Sequence, residues 1–496
     1  RPVHFVPTMG ALHQGHARLM AHARVVTTTP CSVLASVYVN PLQFGAGEDF
    51  EQYPRDLDAD CRVAAQAGVD ALWCPTDAQM YPDGSDQVFR LQVPQSLQQH
   101  LCGASRPGHF DGVATVVARL LSLVRPSVLL LGEKDWQQLT ILRHLVRALA
   151  LPVRVIGCPT VREADGLASS SRNSYLTPVQ RQQASALPHL LQQEAEAVRS
   201  GVRDVDSSAL KTALTAAGLA VDYVEVVSPS TLQPASADQT CRLLAVAARC
   251  GATRLIDHIV LMTRSPIVAI DGPAGAGKST VTRAFAERMG LLYLDTGAMY
   301  RAVTWWVLEQ GLDPADAAAV EPCLEGLEVE LDPLRDGVQA VRVNGRDVTE
   351  VIRDPRVTAK VSVVAAHACV RALLTAQQQR MGERGGLVAE GRDIGTAVFP
   401  DAELKVFLTA TPAERARRRA VDLERRGFEV PALAELEAQI VERDHLDSTR
   451  DVAPLVQAAD ATELITDGMG IDAVIDALED LFRLKVPAEA WPGSNA

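Results

Sequence analysis

No apolar run in the 496-residue chain approaches the roughly 18 residues that a membrane span requires, so no transmembrane segment is expected. No C-x-x-C pair occurs among its nine cysteines: Cys31, Cys61, Cys74, Cys102, Cys158, Cys241, Cys250, Cys323 and Cys369. An odd, scattered set points to reduced, mostly buried thiols in a cytosolic enzyme and away from disulfides or zinc. Positive charge is also short, with 48 Lys and Arg against 61 Asp and Glu and a net charge of -13. That balance excludes a general nucleic-acid binder, so any basic site has to be local. The chain starts Arg1-Pro-Val-His-Phe-Val, already strand-like, with neither an initiator Met nor a secretory signal. Residues are expected to be absent from its front, and a cytoplasmic setting is expected.

What remains is a well-packed composition, 47% hydrophobic and 22% charged, in a chain too long for one ordinary core, so two or more domains are expected. A seam divides it at 262–266. Beyond the seam a β-branched apolar run, 267–271, suits a strand buried in a parallel sheet. Gly272-Pro-Ala-Gly-Ala-Gly277-Lys278-Ser279 then follows the G-x-x-x-x-G-K-[ST] spacing. Its backbone N–H groups would cradle phosphates, Lys278 would reach the outer ones, and the Ser279 hydroxyl would hold Mg²⁺. A chance match in a chain of this length has a probability of roughly 2%. The apolar spacing of Val281, Ala284, Phe285 and Met289 behind it predicts the helix that a phosphate site needs.

The first half opens with a predicted strand at 3–6 and a glycine-containing turn, Pro7-Thr-Met-Gly-Ala-Leu-His-Gln-Gly-His16, leading into a helix to about residue 26. A second strand, 32–39, ends in Asn40-Pro-Leu-Gln-Phe44. In open α/β sheets such carboxyl ends share one crevice. His13 and His16 fall on one face of the first helical turn, where the helix dipole would keep the rings neutral and ready to donate to a phosphate. Taken alone, H-x-G-H reads equally well as two surface histidines. A third strand, 128–131, is followed by Gly132-Glu-Lys-Asp-Trp-Gln-Gln138. A fourth, 153–156, precedes Val161 and a hydroxyl-rich loop around Arg172 that suits an ATP-phosphate clamp.

These segments, together with Tyr53-Pro-Arg, Ser105-Arg-Pro-Gly-His-Phe and Ser170-Ser-Arg-Asn, resemble pantothenate synthetase as far as Arg254-Leu-Ile-Asp257. The resemblance implies a Rossmann-like domain of the H-x-G-H nucleotidylyltransferase type, 1–176, and a small α+β closing domain, 177–262. The implied reaction joins pantoate to β-alanine through a pantoyl adenylate, releasing AMP and pyrophosphate. ATP would meet Met9, Gly10, His13, His16, Gly132, Glu133, Lys134, Asp135, Val161, Ser169, Ser170, Ser171 and Arg172. Asn40, Gln43 and Gln138 would hold pantoate and β-alanine. His16 would take the family's catalytic role, with His13, Lys134 and Arg172 stabilising the α-phosphate and the leaving pyrophosphate. A homodimer through this half is implied. The family usually carries some twenty residues before the first strand. In the closing domain a long helix is expected at 178–199, with strands at 221–227 and 242–247.

In the second half, strands are expected at 291–294, 327–331, 338–343, 387–389 and 404–408, the last taken as the final core strand. Asn344-Gly345 predicts a hairpin turn in a small insertion. The Arg415–Arg419 cluster follows the point where phosphoryl-transfer enzymes place a mobile arginine lid. Asp295-Thr-Gly-Ala-Met-Tyr-Arg301, Glu390-Gly-Arg-Asp-Ile-Gly-Thr396 and Arg443-Asp-His-Leu-Asp-Ser-Thr-Arg450 resemble bacterial cytidylate kinase. That resemblance implies a P-loop nucleoside monophosphate kinase domain, 263–486, with an insertion at about 325–360 and a frayed tail at 487–496. It would phosphorylate CMP and dCMP. CMP would be surrounded by Thr296, Arg301, Arg371, Asp393, Arg443, Asp447 and Arg450. ATP would meet Gly272, Pro273, Ala274, Gly275, Ala276, Gly277, Lys278, Ser279 and Thr280, with Arg415 and Arg418 from the lid. Lys278 and Arg392 would act at the transferring phosphate. Mg²⁺ would accompany ATP in both halves, with no organic cofactor. A nucleotidylyltransferase making a dinucleotide is the alternative for the first half, against which Gln43, Gln138 and the Ser170 loop speak. A non-catalytic nucleotide-binding module is the alternative from another class.

Overall fold

The computed structural model describes residues 1–25, 30–45, 47–334, 339–425, 429–449, 452–487 and 490–491. Its two compact units have main bodies Arg1–Thr263 and Arg264–Phe482.

In the first unit, strands β1 (Val3–Thr8), β2 (Ser32–Val37), β3 (Ala71–Trp73), β4 (Val128–Gly132) and β5 (Arg154–Cys158) form a parallel sheet ordered β3-β2-β1-β4-β5. Period-two alternation of apolar residues sends Val6, Val128 and Leu130 to one face and Phe5, Leu129 and Leu131 to the other. The Gln14–Val25 helix covers the first face with Met20 and Ala23, and the His109–Val124 and Trp136–Ala148 helices cover the second with Phe110, Val113, Leu139 and Leu142. A sheet buried on both sides explains the continuous apolar strands. The strand order turns back at β1 and β4, which opens a crevice at their carboxyl ends.

An antiparallel sheet follows: β6 (Ala220–Val227), β7 (Arg242–Cys250) and β8 (Thr253–Leu261). Leu187, Leu191, Leu210 and Leu214 cover it from flanking helices. The single helix expected at 178–199 is two, Pro178–Ala184 and Ala186–Arg199. Pro188 has no N–H to offer the Ala184 carbonyl, so the ladder breaks there. Of the nine cysteines only Cys31, Cys102, Cys158 and Cys250 are buried, fewer than expected, and Cys61 and Cys74 are exposed.

The second unit is built on β9 (Ile267–Asp271), every residue of which is buried. With β10 (Leu292–Asp295) before the insertion, the insertion itself supplies β11 (Val329–Leu331), β12 (Val341–Val343) and β13 (Arg346–Asp347), and β14 (Leu387–Gly391), β15 (Leu404–Thr409) and β16 (Thr462–Ile465) follow. The main sheet is parallel, ordered β10-β14-β9-β15-β16. β15 is therefore not the last strand. β16 is a four-residue, half-exposed edge strand, too weakly patterned to stand out. β11, β12 and β13 form a separate antiparallel sheet, with Asn344 and Gly345 both at positive φ in the β12–β13 turn. Part of the predicted strand at 338–343 and the site residue Arg450 lie outside the described residues. Among the described residues no single helix is long and apolar enough to cross a membrane; the bent pair Pro355–Ala366 and Ala368–Met381 buries Val357, Val364, Val370 and Leu374 in the core around the insertion.

Candidate active sites

The first site grows from the turn after β1. The Thr8 hydroxyl donates to the Ser36 carbonyl (2.6 Å) and accepts from the Gly10 N–H (3.2 Å). The buried Asp60 carboxylate accepts from the N–H groups of Ala11 (3.2 Å) and Leu12 (2.7 Å), pinning the turn from below. The His13 carbonyl accepts from Ala17 N–H, which places His13 just ahead of the Gln14–Val25 helix and His16 within its first turn. The two rings lie 4.1 Å apart. Gly15 N–H donates to Nδ1 of His13 (3.1 Å), and His13 N–H donates to Nδ1 of His16 (3.3 Å). Each neutral ring must then carry its proton on Nε2, the atom left to donate outward. Burial, with Lys134 adding positive charge, lowers the His13 pKa to about 4. Burial lowers His16 to about 3, with His13 and Lys134 acting in the same direction. Neutrality was expected from the helix dipole; desolvation leads instead.

β4 ends in a 3₁₀ turn, Glu133–Asp135, that carries Lys134, with Nζ 3.8 Å from Asp135 Oδ1. The Ser171–Tyr175 turn presents Arg172, its start capped by the Ser170 hydroxyl, which accepts from Arg172 N–H. Burial works against the Arg172 charge, but the Asp49 carboxylate more than restores it, so its pKa is raised. Lys134, Asp135, Gln138, Ser170 and Arg172 line one cavity of about 650 Å³, together with Glu48, Asp49, Arg106 and His109.

The other expected residues lie outside that wall. Gln43 donates from Nε2 to Met9 Sδ (2.8 Å), and its Oε1 accepts from Asn40 Nδ2 (3.2 Å). Gln43 and Gln138 therefore do not both line this cavity. The link is His109, whose Nδ1 donates to the Gln43 carbonyl (2.7 Å) while Arg106 donates to its Nε2 (2.9 Å). Burial followed by the Arg106 charge lowers the His109 pKa to about 4. The turn bearing Gln43 sits close against the His109–Val124 helix because Gly112 has no side chain: a Cβ there would stand 2.1 Å from the Leu42 carbonyl oxygen. Glu133 and Ser169 are buried, and Ser169 N–H donates to the Val161 carbonyl. Gly132 ends β4, and the Ser171 hydroxyl lies 3.3 Å from that of Tyr53.

The second site begins where β9 ends. The Asp271 carboxylate accepts from Ile394 N–H (2.8 Å) and Gly395 N–H (2.7 Å), fixing the loop after β14 beside the phosphate loop. Burial raises the Asp271 pKa to about 6. Gly272 sits at φ 147°, and a Cβ there would lie 2.0 Å from the Leu408 carbonyl oxygen. Gly277 precedes the Lys278–Met289 helix. Lys278 is folded back, its Nζ donating to the carbonyls of Gly272 (2.7 Å) and Pro273 (2.8 Å). Burial and the nearby Arg392 push its pKa down.

Residues 274–280 line a cavity of about 880 Å³ with Thr296, Arg301, Arg371, Arg392, Asp393, Arg418, Arg443 and Asp447. Here the structure brings together most of the residues expected for two nucleotides. Arg371 pairs with Asp393, both buried, and stands over the Tyr300 ring at 5.4 Å. Arg392 pairs with Asp447 (3.1 Å) and Arg301 with Asp295 (3.2 Å). The Thr296 hydroxyl donates to the Glu390 carbonyl (2.6 Å), so its proton is already committed. Burial, then Arg392, lowers the Arg443 pKa. Gly272, Pro273 and Arg415 are outside the wall. Arg415 is buried, donating to the Ala410 and Ala274 carbonyls and pairing with Asp444. Arg418, Arg419 and Arg425 face the cavity instead.

Asp49, Asp60 and Glu48 carried no pattern in the sequence. Tyr53, Arg106 and His109 sit in segments that the resemblance did mark. Glu390 and Tyr293 were also missed as partners: the Tyr293 hydroxyl donates to Glu390 Oε1 (2.7 Å).

Two parallel sheets, each gathering cations and glycine turns at its strands' carboxyl ends, define two nucleotide-handling α/β enzyme units on one chain. Residues 1–260 match the family model for pantoate-beta-alanine ligase and residues 268–484 that for cytidylate kinase. The chain is 70% identical over 486 residues to a bifunctional pantoate ligase/cytidylate kinase of Synechococcus sp. (strain WH7803), covering 98% of this chain and 99% of the relative. It is 67% identical to the protein of that name from Prochlorococcus marinus (strain MIT 9313), covering 99% and 97%. The chain belongs to the bifunctional pantoate ligase/cytidylate kinase family. Among solved structures, a pantothenate synthetase from Thermus thermophilus is 45% identical, with a TM-score of 0.49, over 53% of this chain and 94% of that one.

Proposed function

We propose that the first unit uses ATP to activate pantoate as an acyl adenylate, which β-alanine then opens to pantothenate, and that the second transfers a phosphoryl group from ATP to CMP or dCMP. The observation that carries the ligase reading is the close pair His13 and His16, rings 4.1 Å apart, each accepting a backbone N–H at Nδ1 and so left with Nε2 to donate outward. A carboxylate attacking an α-phosphate is already ionised; it needs donors and positive charge for the developing oxyanion more than a base. His16 and His13 supply donors, and Lys134 and Arg172 the charge. Gln138 on the cavity wall and Gln43 behind His109 are read as the pantoate side. For the kinase, the carrying observation is the phosphate loop facing Arg301, Arg371, Arg392 and Arg443 across one cavity. Lys278 would exchange its two carbonyl partners for phosphate oxygens.

Among the described residues no cluster of three or more His, Cys, Asp or Glu could hold a metal by itself. A hard cation would therefore share its shell with phosphates. The Ser279 hydroxyl in the wall and the buried Glu390 carboxyl group with which it interacts fit Mg²⁺ in this unit. Bound there with ATP, it would neutralise charge on the transferring phosphates. The domain limits 1–262 and 263–486, a homodimer through the ligase unit and a cytoplasmic setting complete the reading; the dimer rests on the resemblance and is tested by light scattering, the setting on the scattered cysteines without a C-x-x-C pair.

The test is one preparation assayed twice: AMP release that requires both pantoate and β-alanine, and ADP formation that requires CMP. Both signals are expected. AMP release indifferent to β-alanine would remove the ligase reading, and ADP formation indifferent to CMP the kinase reading.

A further inference from the structure

The segment after Phe44 turns two acids onto two arginines of the ligase cavity. Glu48 takes Arg106, with Oε1 2.7 Å from Nε. Asp49 takes Arg172 through two parallel bonds, Nε to Oδ2 at 2.9 Å and Nη2 to Oδ1 at 2.8 Å. The same segment rests on the Arg172 turn elsewhere: Tyr53 OH lies 3.3 Å from Ser171 Oγ, Tyr175 OH donates to the Gln52 carbonyl at 3.4 Å, and the Arg172 guanidinium stands 6.0 Å over the Tyr53 ring. Asp49 and Arg172 both line the cavity, with Lys134 and Ser170. Their side chains are 23% and 29% exposed, so neither is sealed from an incoming anion.

A carboxylate gripped by both arms of a guanidinium occupies the donors that two phosphate oxygens would use. We propose that Asp49 is an internal stand-in for the nucleotide polyphosphate, a residue that sets ATP affinity and speeds the departure of pyrophosphate. This rests on reading Arg172 as a phosphate-binding residue. ATP must exchange Asp49 for phosphate at Arg172, and like charge then repels the freed carboxylate from the polyphosphate. After adenylate formation Asp49 returns to Arg172 as a tethered competitor, at an effective concentration no free anion matches. Only ion pairs exchange; no covalent bond is involved.

Asp49→Asn keeps the shape and removes the charge. The expected result is a fall of roughly threefold to tenfold in the KM for ATP and a similar fall in the inhibition constant for pyrophosphate, the size expected of a half-buried charge-assisted pair. CMP phosphorylation on the same chain, unchanged, certifies the preparation. Asp49→Ser, smaller and also neutral, should move both constants the same way. Both constants unchanged or raised in the two variants would overturn the proposal. Arg172→Gln separates the two layers. If it raises both constants while Asp49→Asn changes neither, the stand-in role alone is lost. If it leaves both untouched, the phosphate role of Arg172 falls as well. In the Arg172→Gln background, Asp49→Asn should bring no further tightening.

Discussion

Desolvation of the half-buried His13 and His16 lowers both pKa values, which has a measurable cost. Their folded-state pKa values of about 4 and about 3 lie below the ordinary 6.5. Between those limits the unfolded chain takes up protons that the folded chain refuses, so stability falls as pH drops from about 6.5 toward 4. Replacing His16 by Gln removes one such group. Urea unfolding at pH 7 and pH 5, followed by hydrogen exchange in peptides of the first unit, should show a smaller acid loss in His16→Gln than in the wild type. An equal loss would mean that His16 is not held neutral. The spacing of the two histidines was legible in the sequence. Asp49 and Asp60 were not, because a lone acid carries no signal until the fold brings it against Arg172 or against the N–H groups of Ala11 and Leu12.

The phosphate loop shows how one element depends on another. A methyl group at residue 272 would meet the backbone of β15 at Leu408, which cannot yield as a side chain could. Gly272→Ala is expected to abolish CMP phosphorylation and to destabilise the second unit by about 3 kcal/mol, from combined overpacking and φ strain. Thermal unfolding and ADP formation check this; full kinase turnover in the variant would contradict the close approach. Strands with strong apolar runs, β1, β2, β4, β9 and β15, were readable within a residue or two. β8 was missed although its residues close the resemblance, and β16 because a short edge strand with half-exposed residues lacks the buried run that marks its neighbours. The helix at 178–199 failed for the opposite reason: its apolar period continues through Pro188, and only the missing N–H interrupts it.

For the chain as a unit, each half carries its own sheet, core and cavity. The first unit's product is not the nucleotide that the cytidylate kinase unit takes, so no intermediate needs to pass between them. Lys278→Ala should abolish CMP-dependent ADP formation while leaving the kcat/KM for AMP release within about twofold, because no coupling free energy is expected. A larger change in AMP release would reveal coupling between the activities. The pairing of β9 has a further consequence, in the order of synthesis. Ile267 finds its neighbour at Leu387, about 120 residues later. At roughly 5–20 residues per second the ribosome needs on the order of ten seconds to deliver it. Throughout that wait the most apolar strand of the second half has emerged without its sheet, whereas the first half already has every strand it needs. The nascent kinase is therefore the part left longest without its sheet, while the ligase has all its strands early but receives its last segment, Arg483–Ala490, only after the kinase has been made.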